Sequence, residues 1–88
     1  MTVSTEFPDY PLSSLLSLPT EWEDTSWHND TCPSWCVGGG WYVYVDYEVV
    51  VHREVPECSR FTVYHIDDSV TAYHGDDWEE VLRVVASL

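Results

Sequence analysis

Apolar and polar side chains alternate along residues 41–55. The odd positions read Trp, Val, Val, Tyr, Val, Val, Arg and Val, whereas the even positions read Tyr, Tyr, Asp, Glu, Val, His and Glu. Successive side chains of a β-strand point to opposite faces of the sheet, so a period of two is typical of a half-buried strand. The pattern predicts one long strand over 41–55 with its odd residues directed inward, ended by Pro56.

Two further strands and a helix are predicted after this strand. Residues 60–66 and 70–74 are rich in β-forming side chains, and the Asp-Asp-Ser run between them has the chemistry of a turn. Over 77–87 the apolar side chains fall on one face at helical spacing. Asp76 is the predicted N-cap of this helix, because a glutamate three residues later would complete a capping box.

The first 40 residues carry weaker signals and are predicted to be irregular with short helical pieces. Leu12, Leu15 and Leu16 lie at helical spacing after a proline, which predicts about two turns of helix. Thr20 is followed three residues later by a glutamate, and this pattern predicts a second short helix. A run of three glycines then provides a flexible entry into the strand that follows.

Together these elements predict one small α+β domain. Residues 41–88 would form a three-stranded antiparallel sheet packed by the C-terminal helix, with one sheet face exposed to water. Residues 1–40 would pack around the edges of this unit as an irregular, partly helical segment.

The chain is strongly acidic, and this charge limits the functions that the protein can have. Sixteen carboxylates oppose three arginines and no lysine, for a formal net charge of −13. Five tryptophans, six tyrosines and a hydrophobic content of 44% argue against a disordered chain. A nucleic-acid binder needs lysine and arginine to neutralise phosphates, and an anionic membrane surface would repel this chain. No apolar run approaches the ~20 residues of a membrane span. The sequence therefore predicts neither direct nucleic-acid binding nor membrane association.

The cysteine count and the first residues predict a cytoplasmic protein. Three cysteines are an odd number, which does not suit a framework of paired disulfides. The first residues carry no cationic region of the kind that opens a secretory signal. If the protein is encoded by a virus, the compartment would be the cytoplasm of the host cell.

The clearest motif in the sequence is a set of histidine and cysteine residues that could bind zinc. The overall prediction is nevertheless that the protein binds no metal and no cofactor. The candidate ligands are His28, Cys32, Cys36 and Cys58, and the spacing of Cys32 and Cys36 is tolerated for a first ligand pair. A second closely spaced pair is missing. Two other interpretations remain open: thiols that act as small buried hydrophobes, and a Cys32–Cys36 disulfide.

The sequence contains little that would support catalysis. We therefore predict that the protein is not an enzyme. A thiol nucleophile needs a nearby base, and a field of carboxylates raises the pKa of a thiol rather than lowering it. None of the four histidines belongs to a nucleophile–base signature. Adjacent acids on a small acidic chain are more typical of a solvated turn or of a helix start.

Acids and tyrosines on the predicted outer surface are the candidate partner-binding residues. Alternate residues of a strand lie ~7 Å apart, so outward carboxylates would form a spaced row that could occupy a site built for phosphates. Tyrosines beside them would add anchors of the kind found at interface hot spots. The predicted set comprises Tyr42, Tyr44, Asp46, Glu48, Glu54, Asp67, Asp68, Asp76, Asp77 and Glu80.

The sequence therefore predicts a small acidic inhibitor that binds a basic nucleic-acid-binding surface of a partner as a nucleic-acid mimic or decoy. As a type, it is similar to phage-encoded inhibitors of host defence, among which some anti-CRISPR and anti-restriction proteins act as nucleic-acid mimics. The alternatives are a small zinc-stabilised adaptor domain and an acidic interaction protein adapted to high salt, which the absence of lysine would suit. An exposed sheet edge would also permit a homodimer.

Overall fold

The centre of the fold is an antiparallel sheet in which each strand pairs with the next one along the chain. A computed structural model describes residues 2–11 and 17–88, and among them five strands form one sheet in the order β1-β2-β3-β4-β5. The strands are β1 (Glu23–Asp24), β2 (Ser34–Gly38), β3 (Trp41–Val45), β4 (Phe61–His65) and β5 (Val70–Gly75). The prediction of an antiparallel sheet is confirmed, but the prediction of three strands is wrong.

Two helices and one helical turn complete the described secondary structure. They are α1 (Val3–Glu6), a 3-10 helix (Val50–His52) and α2 (Trp78–Ala86). The C-terminal helix is thus confirmed, with ends that differ by one residue from the prediction. Within the described residues, no helix is long and apolar enough to cross a membrane.

One face of the sheet is covered and forms the core. Val43 of β3 lies opposite Trp35 of β2 on one side and opposite Val63 of β4 on the other, so these side chains share a face. Val81 of α2 and Phe7, which follows α1, pack against that face. The buried cluster comprises Val3, Phe7, Tyr10, Trp35, Val43, Val45, Phe61, Val63 and Val81.

The predicted strand over 41–55 is wrong beyond residue 45. After Val45 the chain leaves the sheet and forms a connection, residues 46–60, that contains the 3-10 helix. The side chain of Arg53 folds this connection back on itself, because it donates hydrogen bonds to three carbonyl oxygens, those of Tyr47, Glu48 and Cys58. The alternation of residue types continues past the strand, but its valines are exposed.

The strands β1 and β2 arise where the sequence predicted irregular structure. The three glycines form the turn of the β2–β3 hairpin, with φ angles of +101° at Gly38, +62° at Gly39 and +82° at Gly40. Such positive φ angles are open to glycine without the steric cost that a Cβ brings. The run that was predicted to be a flexible entry is therefore a defined turn, and it folds β2 back onto β3.

The predicted N-terminal helices have different outcomes. The helix expected after Thr20 is wrong, because a turn at residues 20–22 leads into β1 instead. The helix expected from Leu12, Leu15 and Leu16 lies outside the described residues. A four-residue helix that the sequence did not predict, α1, is held by a reciprocal capping box between Thr2 and Thr5.

Candidate functional site

Three tyrosines lie side by side on the face of the sheet opposite the core. Tyr42 is directly opposite Tyr64 in the register of β3 and β4, and Tyr44 lies two residues further along β3, opposite Thr62. Neighbouring strands are ~4.8 Å apart, and alternate residues of one strand are ~7 Å apart. Tyr42, Tyr44 and Tyr64 therefore form one patch of partly exposed rings, the tyrosine face.

Carboxylates border the tyrosine face. Glu23 of β1 and Tyr42 of β3 lie on either side of Cys36 in one row across the sheet. The nearby Cys36 thiol, partial burial and the carboxylates of Glu23 and Asp67 raise the pKa of Tyr42. Burial raises the pKa of Tyr44, with a further contribution from Asp30. Both hydroxyls therefore stay protonated at neutral pH and remain able to donate hydrogen bonds.

A cavity of about 330 Å³ adjoins the tyrosine face. It lies between the outer face of the sheet and the 46–60 connection. The residues that line it from strands β3, β4 and β5 are Tyr44, Thr62, Tyr64 and His74, and those from the adjoining loops are Thr31, Cys32, Asp46, Val55, Cys58, Ser59 and Arg60. The size is at the lower end of the range for small-ligand pockets.

The histidine in this cavity is held by hydrogen bonds at both ring nitrogens. Nε2 of His74 accepts the backbone N–H of Ser59 at 3.3 Å, and Nδ1 lies 2.8 Å from Oγ1 of Thr62. Since Nε2 accepts, the ring proton is on Nδ1 and points at the threonine hydroxyl. Both ring nitrogens are thus occupied by the fold, which holds the β4–β5 hairpin to the end of the 46–60 connection.

The candidate zinc ligands are not gathered into a site. Cys32 is buried, Cys36 lies beside Tyr42, and Nδ1 of His28 is 2.8 Å from Oε1 of Glu6. Across residues 2–11 and 17–88, no group of three or more His, Cys, Asp or Glu side chains is arranged to hold a metal ion. Burial, together with the charge of Asp46, raises the pKa of the Cys32 thiol to about 12, so this thiol is not ionised at neutral pH.

The Cys32–Cys36 disulfide is also absent, and all three cysteines are free. Pro33 and Ser34 are already held by sheet hydrogen bonds, since their carbonyls accept from Val45 and Thr25. Four residues of extended chain span ~13 Å, whereas a disulfide needs Cα atoms within ~7 Å.

The predicted outward row of Asp46, Glu48 and Glu54 is wrong, because none of the three lies on a strand. Asp46 is half-buried, and its Oδ1 accepts the backbone N–H of Tyr47 at 2.8 Å. Burial raises the pKa of this carboxyl. Glu48 and Glu54 are exposed on the 46–60 connection. Only the tyrosines of the predicted strand, Tyr42 and Tyr44, face outward as expected.

Asp67 and Asp68 lie at the exposed turn between β4 and β5, where the sequence placed them. The backbone N–H of Asp68 donates to Nδ1 of His65 at 3.2 Å, while Nε2 of His65 lies 2.8 Å from the carbonyl oxygen of Gly39. This histidine therefore joins the β4–β5 turn to the glycine turn of the β2–β3 hairpin. Asp67 is left beside Tyr42 at the border of the tyrosine face.

The three predicted acids around α2 have structural roles. Asp77, rather than the predicted Asp76, is the N-cap, and its Oδ1 accepts the N–H groups of Glu79 at 3.1 Å and Glu80 at 3.4 Å. Oδ1 of Asp76 accepts the backbone N–H of Arg60 at 2.7 Å, which joins the start of α2 to the start of β4. Glu80 forms an ion pair with an arginine one turn along the helix.

Sequence reasoning missed Tyr64, Glu23 and Asp30 as members of this surface. Tyr64 could have been found, because it alternates with Thr62 within the predicted strand 60–66 and therefore faces the same side. Glu23 and Asp30 left no such signal, since their positions depend on the pairing of β1 with β2 and on the loop between these strands.

The surface charge of the protein is almost entirely negative. All sixteen carboxylates lie in the described residues, and twelve of them are exposed. The three arginines are engaged: Arg53 with carbonyls of its own connection, buried Arg60 with the carbonyl of Asp46, and Arg83 with Glu80. No protein-family model matches the chain, and no curated protein or solved structure matches it either.

Proposed function

We propose that this protein is a non-enzymatic inhibitor that binds a basic nucleic-acid-binding surface of a partner protein and acts as a decoy for nucleic acid. The observation that carries the proposal is the distribution of charge. Twelve exposed carboxylates surround the molecule, while each arginine is already used by the fold. Such a surface attracts a positively charged groove at long range and pairs with its arginines and lysines at contact.

The tyrosine face supports a protein partner for this acidic surface. Its rings are partly exposed and lie on paired strands of the sheet rather than on a loop. Tyrosines at the centre of a polar, charged border resemble the arrangement of interface hot spots. Adaptation to high salt would account for the carboxylates, but it provides no reason to gather three rings on one exposed face.

The proposal is tested by capture and competition. The protein would be immobilised, incubated with a nuclease-treated cell lysate, and eluted first with duplex DNA or RNA and then with increasing salt. We expect the captured proteins to be basic nucleic-acid binders that nucleic acid releases, with affinity that falls steeply as salt rises. Capture that resists both saturating nucleic acid and ~1 M salt would contradict the decoy function.

Charge reversal tests whether the exposed carboxylates contribute to the affinity for a captured partner. Glu48 and Glu54 are exposed on the 46–60 connection, so the double variant Glu48→Lys/Glu54→Lys should fold normally. We expect it to bind a captured partner more weakly, mainly through slower association. The matched control is Glu79→Lys on α2, across the sheet from the tyrosine face, which should have the smaller effect per charge. Equal binding by the parent and both variants would argue against an electrostatic decoy.

A further inference from the structure

The tyrosine face places three aromatic rings next to exposed carboxylates. Tyr42 and Tyr64 are cross-strand neighbours, and Tyr44 adds a third ring on the same face. Glu23 lies in the same cross-strand row as Tyr42, and Asp30 and Asp67 are close enough to act on the tyrosine hydroxyls. Helices α1 and α2 pack on the opposite face of the sheet, so neither covers these rings, while the 46–60 connection lines the cavity that Tyr44 and Tyr64 share.

We propose that the tyrosine face is a binding site for arginine side chains of the partner, and that it discriminates against lysine. This inference rests on the proposed function, since it names the chemistry by which a basic partner is recognised. Guanidinium groups would lie flat on the rings of Tyr42, Tyr44 and Tyr64, while the bordering carboxylates accept their N–H groups.

The physical basis of this discrimination is the difference between the two cations. A guanidinium is planar and weakly hydrated, stacks on aromatic rings, and donates two parallel hydrogen bonds to one carboxylate. A lysine ammonium is compact and strongly hydrated, so it loses more hydration when it approaches a ring. Within the protein itself, the guanidinium carbon of Arg60 lies 5.2 Å from the ring centroid of Phe61, its neighbour in the sequence.

The spacing of the rings indicates which arginines fit. Rings that face each other across β3 and β4 are ~5 Å apart, and those on alternate residues of β3 are ~7 Å apart. Arginines one turn apart on a helix, or on alternate positions of an extended segment, have comparable spacing. An arginine-rich segment of the partner is therefore the occupant that this face fits.

The test compares two labelled peptides of nine residues, oligoarginine and oligolysine, by fluorescence anisotropy at about 0.15 M salt. The peptides have the same length and charge, so a purely electrostatic surface should bind them about equally. We expect oligoarginine to bind roughly five- to thirty-fold more tightly, the gain from two or three stacked rings. The double variant Tyr44→Leu/Tyr64→Leu should lose most of this preference and bind oligolysine within about two-fold of the parent.

Three further variants separate ring stacking from other causes of the preference. Trp27→Leu removes an exposed aromatic outside the tyrosine face and should leave the preference unchanged. Glu23→Gln/Asp67→Asn should lower the affinity for oligoarginine more than Glu48→Gln/Glu54→Gln, which removes the same charge from the 46–60 connection. Because all four acids are exposed, this comparison remains decisive if the tyrosine variant fails to fold.

The possible outcomes bear differently on the arginine site and on the decoy function. Equal, salt-sensitive affinity for both peptides would overturn the arginine site and leave the decoy function standing. A preference that survives in the folded tyrosine variant, or acid variants that behave alike, would also overturn the arginine site. Failure of both peptides to bind the parent at low salt would contradict the decoy function as well.

Discussion

At the scale of single residues, burial separates acids that the sequence treats as equivalent. Asp46 and Glu48 lie two positions apart, yet Asp46 is half-buried and Glu48 is exposed. The carboxyl of Asp46 accepts the N–H of Tyr47, and burial raises its pKa despite that hydrogen bond. Because the folded protein holds the proton of Asp46 more tightly than the unfolded chain does, stability falls as pH rises from the ordinary pKa through the raised one.

This linkage predicts the behaviour of Asp46→Asn. Asparagine keeps an oxygen that can accept from Tyr47 but carries no charge, so the variant should be at least as stable as the parent at pH 7. Its advantage should shrink as pH falls below the raised pKa, where the parent is protonated. Thermal melts at several pH values measure the effect, with Glu48→Gln as the control for loss of one exposed charge. A variant that is less stable than the parent at pH 7 would contradict this prediction.

At the scale of elements, the β2–β3 hairpin is defined by contacts that its strand residues alone do not reveal. Three successive glycines with positive φ turn the chain, and His65 of β4 hydrogen-bonds to the turn through the carbonyl of Gly39. A Cβ atom at Gly40 would lie 2.8 Å from Nε2 of His65, whereas a Cβ atom at Gly38 would meet nothing within 4 Å. Both positions therefore have a positive φ angle, but their surroundings differ.

Alanine at these two glycines should have unequal effects. Gly38→Ala should lower the free energy of unfolding by about 1–3 kcal/mol through backbone strain. Gly40→Ala should carry a similar strain and lose about 1 kcal/mol more, because the displaced His65 ring would give up its hydrogen bond to Gly39. Urea denaturation of both variants measures the difference. Equal costs would show that His65 moves aside freely.

At the scale of the whole molecule, uncompensated charge opposes folding. A net charge of −13 on a chain with a Cα radius of gyration of 12.1 Å brings exposed carboxylates within each other's range at low ionic strength. The engaged arginines relieve this repulsion only locally. The compact state should therefore be sensitive to screening even when no partner is present.

Salt should accordingly stabilise the isolated protein. Raising NaCl from ~0.01 to ~0.15 M shortens the screening length from ~30 to ~8 Å, and we expect Tm to rise by several degrees. The triple variant Glu48→Gln/Glu54→Gln/Glu57→Gln should melt higher at low salt and respond less to NaCl. A Tm that is independent of salt would contradict this account. A rise that continues mainly up to molar salt would favour adaptation to a saline environment.

The sequence by itself determined the elements whose causes are local. The apolar stripe of α2 and the inward direction of Val43 and Val45 follow from periodicities that neighbouring residues impose, and β4 and β5 follow from their β-forming residues. Net charge is likewise a property of composition. Helix and strand patterns of this kind can be interpreted without knowing what lies across from them, because the side chains that create them are close along the chain.

The tertiary structure decided everything that depends on partners distant in sequence. Valines alternate up to residue 55, but β3 ends at Val45, where the paired strand β4 begins at Phe61. The tyrosine face exists only because β3 and β4 place Tyr42 and Tyr64 opposite each other, and Glu23 joins them only through the pairing of β1 with β2. Strand pairing and burial are set by long-range register, and that is why local alternation placed the tyrosines correctly and Asp46 wrongly.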